Sequence, residues 1–165
     1  MGNADWIDPK DPGERYRVLY AQMEALLRGE SDWCANLSNA SALLNLALPN
    51  VNWVGFYRMK GGALVLGPFQ GKPACLRIAV GRGVCGTAVQ KNEMQLVPDV
   101  HRFPGHIACD SDSVSELVIP LRAGGRPVGV LDIDSPVPGR FSEEDAKALE
   151  KIAELIEKSC IWPEE

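Results

Sequence analysis

Residues 51–59, VNWVGFYRM, and residues 63–69, ALVLGPF, stand on either side of Lys60, Gly61 and Gly62. Both runs are rich in β-branched and aromatic residues, and the glycines between them supply the positive φ that a tight turn demands, so the stretch predicts a β-hairpin. The signature returns further on, where ELVIPLR (116–122) and PVGVLDID (127–134) flank Ala123, Gly124 and Gly125. A second hairpin follows from it. Between the two, CLRIAV (75–80) and MQLV (94–97) read as further strands, and VCGTAVQKN (84–92) reads as a short helix after Gly81 and Gly83. The expectation is a largely antiparallel sheet of about six strands.

Outside this stretch the period changes to that of a helix. From Glu14, the apolar residues Tyr16, Leu19, Tyr20, Met23, Leu26 and Leu27 recur at steps of three and four until Gly29. From Asp32, Leu37, Ala40, Leu43, Leu44 and Leu48 form a second face that Pro49 ends. The tail opens with Ser142 as N-cap and with Glu143, Glu144 and Asp145 in the first turn, then carries Leu149, Ile152, Ala153 and Ile156 on one side. Helices over about 14–48 and 142–160, packed from both termini on one side of the sheet, make an α+β domain. At 165 residues and 45% apolar, the chain reads as one domain spanning 1–165.

Composition narrows the function. The net charge of −5 and the scatter of 17 basic among 22 acidic residues leave no basic stripe for nucleic acid. No apolar run approaches the roughly 20 residues of a membrane span, and the first residues lack the regions of a signal peptide, so a cytoplasmic protein is expected. In that compartment the five cysteines (Cys34, Cys75, Cys85, Cys109 and Cys160) argue against a structural disulfide framework and for interest as thiols.

The chemistry concentrates between Trp53 and Asp134. Cys75 is expected in a strand, Cys85 at a helix N-terminus and Cys109 in the irregular loop 98–113, three elements that one fold could bring together. For Cys85, the helix end and the neighbouring Arg82 argue for a thiolate with a pKa below the usual roughly 8.5; buried packing is the alternative. Cys109 lies beside His101, His106, Asp110 and Asp112 in a segment able to move. A zinc site of His101, His106 and Cys109, completed by Cys75 or Cys85, is a weaker reading, because the spacing matches no common zinc pattern. Asp132 and Asp134 share a strand face, and Glu116 opens the paired strand, so the three acids could hold an ammonium group or share a proton. Trp53 and Tyr57 also share a face, with Gly55 between them leaving room for a small ligand against an aromatic wall.

Taken together, NWVGFY at Asn52, GPFQGKPAC ending at Cys75, GRGVCGTA around Cys85, VPDVHRFPGHIACD ending at Asp110, SELVIPL around Glu116 and GVLDIDSP around Asp132 and Asp134 resemble the free methionine-(R)-sulfoxide reductases. Those enzymes are built on a single GAF-type domain, and the resemblance covers residues 51–136. It implies that Cys75, Cys85 and Cys109 form the redox set, that Trp53 contacts the substrate, and that Glu116, Asp132 and Asp134 bind its amino group or sulfoxide. It implies reduction of free methionine sulfoxide through a cysteine sulfenic acid and an internal disulfide, recycled by thioredoxin, with no metal or organic cofactor. Cys109 is the expected nucleophile and Cys75 its resolving partner, with Cys85 as a second resolver or as the nucleophile itself. The rival functions are a non-catalytic GAF sensor of a small ligand and a zinc module. The oligomeric state stays open, a homodimer included.

Overall fold

The computed structural model describes residue 6 and residues 8–164. After a 3-10 turn at Pro12–Glu14 come α1 (Arg15–Leu27) and α2 (Trp33–Ala47), then β1 (Trp53–Lys60) and β2 (Ala63–Gln70). Next are β3 (Arg77–Ala79), α3 (Gly83–Lys91) and β4 (Gln95–Val97), followed by β5 (Ser115–Ala123), β6 (Arg126–Ser135) and α4 (Glu143–Ser159). The six strands form one sheet in the order β3-β2-β1-β6-β5-β4. Every strand pair in it is antiparallel.

Both expected hairpins are present, and each turns on two glycines. Lys60 pairs with Ala63 around Gly61 (φ 59°) and Gly62 (φ 77°), and Ala123 pairs with Arg126 around Gly124 (φ 59°) and Gly125 (φ 78°). Positive φ at both central residues is the geometry whose twist matches the flanking strands. Two helix starts, those of α2 and α4, are fixed locally as well. Asp32 caps α2 through Ala35 N–H, and Ser142 and Asp145 form a reciprocal capping box at α4.

Alternation along the strands divides the interior in two. One face carries Val54, Phe56, Leu117, Ile119, Leu121, Leu131 and Ile133, buried against Leu19, Met23, Leu37, Leu44, Leu149, Ile152 and Ile156 of α1, α2 and α4. The terminal helices therefore lie together on one side of the sheet, as expected. The opposite face carries Trp53, Tyr57, Leu64, Ile78, Val118 and Val130 and is covered by Val84, Cys85, Ala88 and Val89 of α3.

The third strand is shorter than the sequence suggested. It begins at Arg77, and Cys75 lies in the connection from β2 rather than in a strand. Past Pro73 the chain first meets the edge of β2 at Leu76, whose carbonyl accepts from Leu66 N–H (3.0 Å), and pairs with it as a strand from Arg77 to Ala79.

Candidate active site

The α3 face of the sheet holds the acids. Trp53 pairs with Asp134 and Asp134 with Glu116, a row across β1, β6 and β5; Gly55, Asp132 and Val118 form the row beside it. Over these rows sits the first turn of α3, because Gly86 lets that helix approach the sheet edge; a Cβ there would come 2.4 Å from the Ala79 carbonyl oxygen. The approach brings the Cys85 thiol to 3.9 Å from Glu116 Oε1, to which it donates. Donor atoms of Cys85, Glu116 and Asp132 all fall within 4.8 Å of one another.

Burial governs the protons of this cluster. Desolvation pushes Glu116 well above the usual carboxylate range, and Asp132 and Asp134 push it further by repulsion. Burial raises Asp132 and Asp134 as well, with the charge of Asp132 adding to the rise at Asp134. Asp132 Oδ1 is buried without a hydrogen-bond partner. The site thus combines carboxyls whose burial favours the protonated form with an unsatisfied acceptor, suited to donating a proton and to receiving an ammonium group.

Of the two readings of Cys85, the buried packing is the one its surroundings favour. The thiol is 4% exposed, and burial first, then the charges of Asp132 and Glu116, drive its pKa well up. A helix terminus contributes a fraction of a charge, which does not offset desolvation beside two carboxyls.

Cys75 and Cys109, 34 residues apart, are joined by a disulfide with Cα atoms 5.8 Å apart. The disulfide joins the nucleophile and resolving partner that the resemblance implies. Cys109 lines a pocket with Trp53, Tyr57, Cys85, Glu116, Asp132 and Asp134, so all the site residues expected from the sequence, save Cys75, line one cavity. Cys75 reaches it through the disulfide. Cys34 is exposed and Cys160 is buried, and neither lines the pocket.

The aromatic wall exists, with a different use of Gly55. Trp53 stacks on Phe69 with ring centroids 5.3 Å apart and on Tyr57 at 6.0 Å. The space above Gly55 belongs to Phe69, whose Cβ lies 2.3 Å from where a glycine Cβ would stand. No ligand fits in that gap, which serves instead to set the tryptophan. The wall also carries the disulfide loop: Trp53 Nε1 donates to the Lys72 carbonyl (3.1 Å) and the Tyr57 hydroxyl donates to the Cys75 carbonyl (3.0 Å).

Several site residues escaped the sequence reading. Asn52 Nδ2 donates to Asp110 Oδ2 (3.2 Å) and to Ser113 Oγ (3.1 Å), and Lys72 Nζ lies 2.6 Å from Asp112 and 3.5 Å from Asp110. Lys72 ties the Cys75 loop to the Cys109 loop, and Asn52 ties the start of β1 to that same loop. Lys72 and Asn52 stand inside the quoted motifs, yet partners roughly 40 to 60 positions away leave no trace in a local pattern. His106 lines the pocket with Nδ1 buried and unpaired, and burial lowers its pKa so that the ring is neutral.

The zinc reading from the histidines is not supported. His101 is exposed and pairs with Asp99 at 3.0 Å, while Cys109 and Cys75 are consumed by the disulfide. Among the described residues, the one group with metal-ligating geometry is Cys85, Glu116 and Asp132.

A curled antiparallel sheet with helices on both faces and a small polar pocket under a loop define a GAF domain, and the GAF domain family model matches residues 25–160. Protein YtsP of Bacillus subtilis is 56% identical over 151 residues, covering 90% of this chain and 93% of that protein. The free methionine-R-sulfoxide reductase of Escherichia coli is 53% identical over 145 residues, covering 88% of each. Among solved structures, the free methionine-R-sulfoxide reductase of Neisseria meningitidis in complex with its substrate superposes with a TM-score of 0.89 at 45% identity, covering 93% of each chain. With this sequence identity over nearly its whole length, the chain belongs to the free methionine-R-sulfoxide reductase family of GAF-domain proteins.

Proposed function

We propose that the protein reduces the R-sulfoxide of free methionine to methionine, with Cys109 as nucleophile and Cys75 as resolving thiol. The observation that carries this reading is the Cys75–Cys109 disulfide at a pocket lined by Glu116, Asp132 and Asp134. In the reduced enzyme, the Cys109 thiolate attacks the sulfoxide sulfur while a buried carboxyl, Glu116 first among them, gives a proton to the oxygen. A bond forms between the Cys109 sulfur and the substrate sulfur as the sulfur–oxygen bond breaks and the oxygen departs as water. Water then attacks the Cys109 sulfur, methionine leaves with the electron pair of the sulfur–sulfur bond, and Cys109 is left as sulfenic acid. The Cys75 thiol condenses with it, water departs, and the observed disulfide results. An external dithiol of the thioredoxin class then accepts the oxidation and restores both thiols. Cytoplasmic reducing conditions suit such a cycle.

The pocket also accounts for a preference for the free amino acid. An ammonium group placed against Asp132 Oδ1 satisfies an otherwise unpaired buried acceptor, and its positive charge draws the neighbouring carboxyls toward their ionised form. A methionine inside a polypeptide has no such group. Supporting this activity are the named relatives, the substrate-bound structural neighbour and the acids themselves.

The test is turnover with each epimer of free methionine sulfoxide and with a peptide-internal sulfoxide, supplied with a thioredoxin system. Rapid reduction of the free R epimer and little of the other two is expected. Equal rates on the peptide would defeat the proposal.

A further inference from the structure

Cys85 takes no part in the disulfide, and the reaction proposed above leaves its thiol unused. It is nevertheless held among carboxyls in the deepest part of the pocket, 4% exposed, against Glu116 and Asp132, each 6% exposed. One soft sulfur and two hard oxygens within 4.8 Å make a donor set that a borderline-soft divalent cation prefers over magnesium or calcium. An independent feature points into the same place. Asp132 Oδ1 is buried with no hydrogen-bond partner, an acceptor waiting for a positive group.

We propose that Cys85, Glu116 and Asp132 form an inhibitory site for zinc, in which the cation takes the place of the substrate's ammonium group. The inhibitory half of this statement rests on the reading of the pocket as a methionine sulfoxide site; the binding half does not. Zinc bonds of about 2.3 Å to sulfur and about 2.0–2.2 Å to carboxylate oxygen set neighbouring donors in a tetrahedron some 3.3–3.6 Å apart. The Cys85–Glu116 separation of 3.9 Å needs only a slight contraction to reach that. Asp134, paired with Glu116 across the β5–β6 ladder and lining the same pocket, or a water molecule is available as the fourth ligand.

Chemically the exchange is a substitution of protons by metal. The Cys85 thiol and the carboxyls release their protons to solvent as the cation enters, so affinity rises with pH. No electrons move, and the Cys75–Cys109 pair keeps its oxidation state.

The disulfide makes a clean experiment possible, because it removes the two cysteines that would otherwise compete. Zinc is titrated calorimetrically into the oxidised enzyme, with cobalt as a spectroscopic stand-in whose thiolate charge-transfer band reports sulfur ligation. One site per chain, proton release in buffers of differing ionisation enthalpy, and a thiolate band are expected. Cys85→Ser should abolish the site, Glu116→Gln should weaken it by at least about tenfold, and Cys34→Ser should leave it intact. Circular dichroism confirms that each variant is folded, and Cys85→Ala serves as a second version of the key substitution. During turnover, zinc should raise the apparent KM for methionine sulfoxide and leave kcat unchanged. Zinc affinity of oxidised enzyme unaltered by Cys85→Ser or Cys85→Ala, or absent in the wild type, overturns the site. Noncompetitive inhibition overturns the shared place. Zinc binding by an enzyme inactive on methionine sulfoxide would instead reject the proposed reaction while keeping the metal site.

Discussion

Glu116 and Asp134 face each other directly across the β5–β6 ladder, two carboxyls in register on the buried side of the sheet, with Asp132 one row away. Such a pairing is unfavourable for the fold when both groups are ionised. Its persistence is explained by the ligand that the pocket is built to receive.

The first consequence concerns pH. Glu116 has a folded pKa raised above its ordinary 4.5 by burial and by its acidic neighbours, so the folded state keeps a proton that the unfolded chain gives up. Stability therefore falls as pH rises from the ordinary carboxylate range toward the folded value. Glu116→Gln should flatten that fall and raise stability at neutral pH by at least about 1 kcal/mol, roughly 2–4 °C in Tm, while kcat/KM collapses. Thermal melts across pH 4–8 check it, and a lower Tm at neutral pH would speak against this account.

The order of the thiols shows in a single turnover without reductant. Wild type should release about one methionine per chain and form the disulfide. Cys109→Ser should release none. Cys75→Ser should release the first equivalent and then stop as sulfenic acid or recycle slowly through Cys85. Quantifying methionine after rapid quench separates these cases, and loss of the burst in Cys85→Ser with its retention in Cys109→Ser would reverse the assignment.

Trp53 is 3% exposed, so an alanine there confounds recognition with unfolding, costing about 3–5 kcal/mol. Trp53→Phe is the better probe. It keeps a ring against Phe69 but removes the bond to the Lys72 carbonyl and part of the wall. KM for free methionine sulfoxide should rise several-fold with Tm lowered by a few degrees, and an unchanged KM measured at saturating reductant would return Trp53 to the core.

Gly86→Ala should act through position alone. The added methyl meets the Ala79 carbonyl at 2.4 Å, so α3 must lift, taking Cys85 away from Glu116. A loss of about 1–3 kcal/mol is expected by chemical denaturation, together with reduced activity. Retention of both would show that the helix has slack at this contact.

The elements and most of the pocket were written in local patterns. Paired glycines announced both hairpins, Asp32 and Ser142 announced helix starts, and the period-two spacing of Asp132 and Asp134 put both acids on one face. These depend on neighbours a few residues away, which a sequence displays. The same reading set Cys75 in a strand, and it left open a ligand over Gly55 and an acidic thiol at Cys85.

The last two were open for one reason. Whether the space over Gly55 is empty depends on Phe69 of the next strand, and whether Cys85 ionises depends on Glu116 and Asp132, 31 and 47 positions away, together with the exclusion of water. Desolvation is a property of everything packed around a group, and no local pattern contains it. The amino-acid sequence by itself determined the secondary elements, their hairpins and the set of residues that carry chemistry. The pairing of Cys109 with Cys75 came from the resemblance, and only the tertiary structure decided that Lys72 joins the Cys75 loop to the Cys109 loop and that burial pushes the pocket acids toward their protonated forms, because contacts between distant segments and the water they displace arise only when the chain closes on itself.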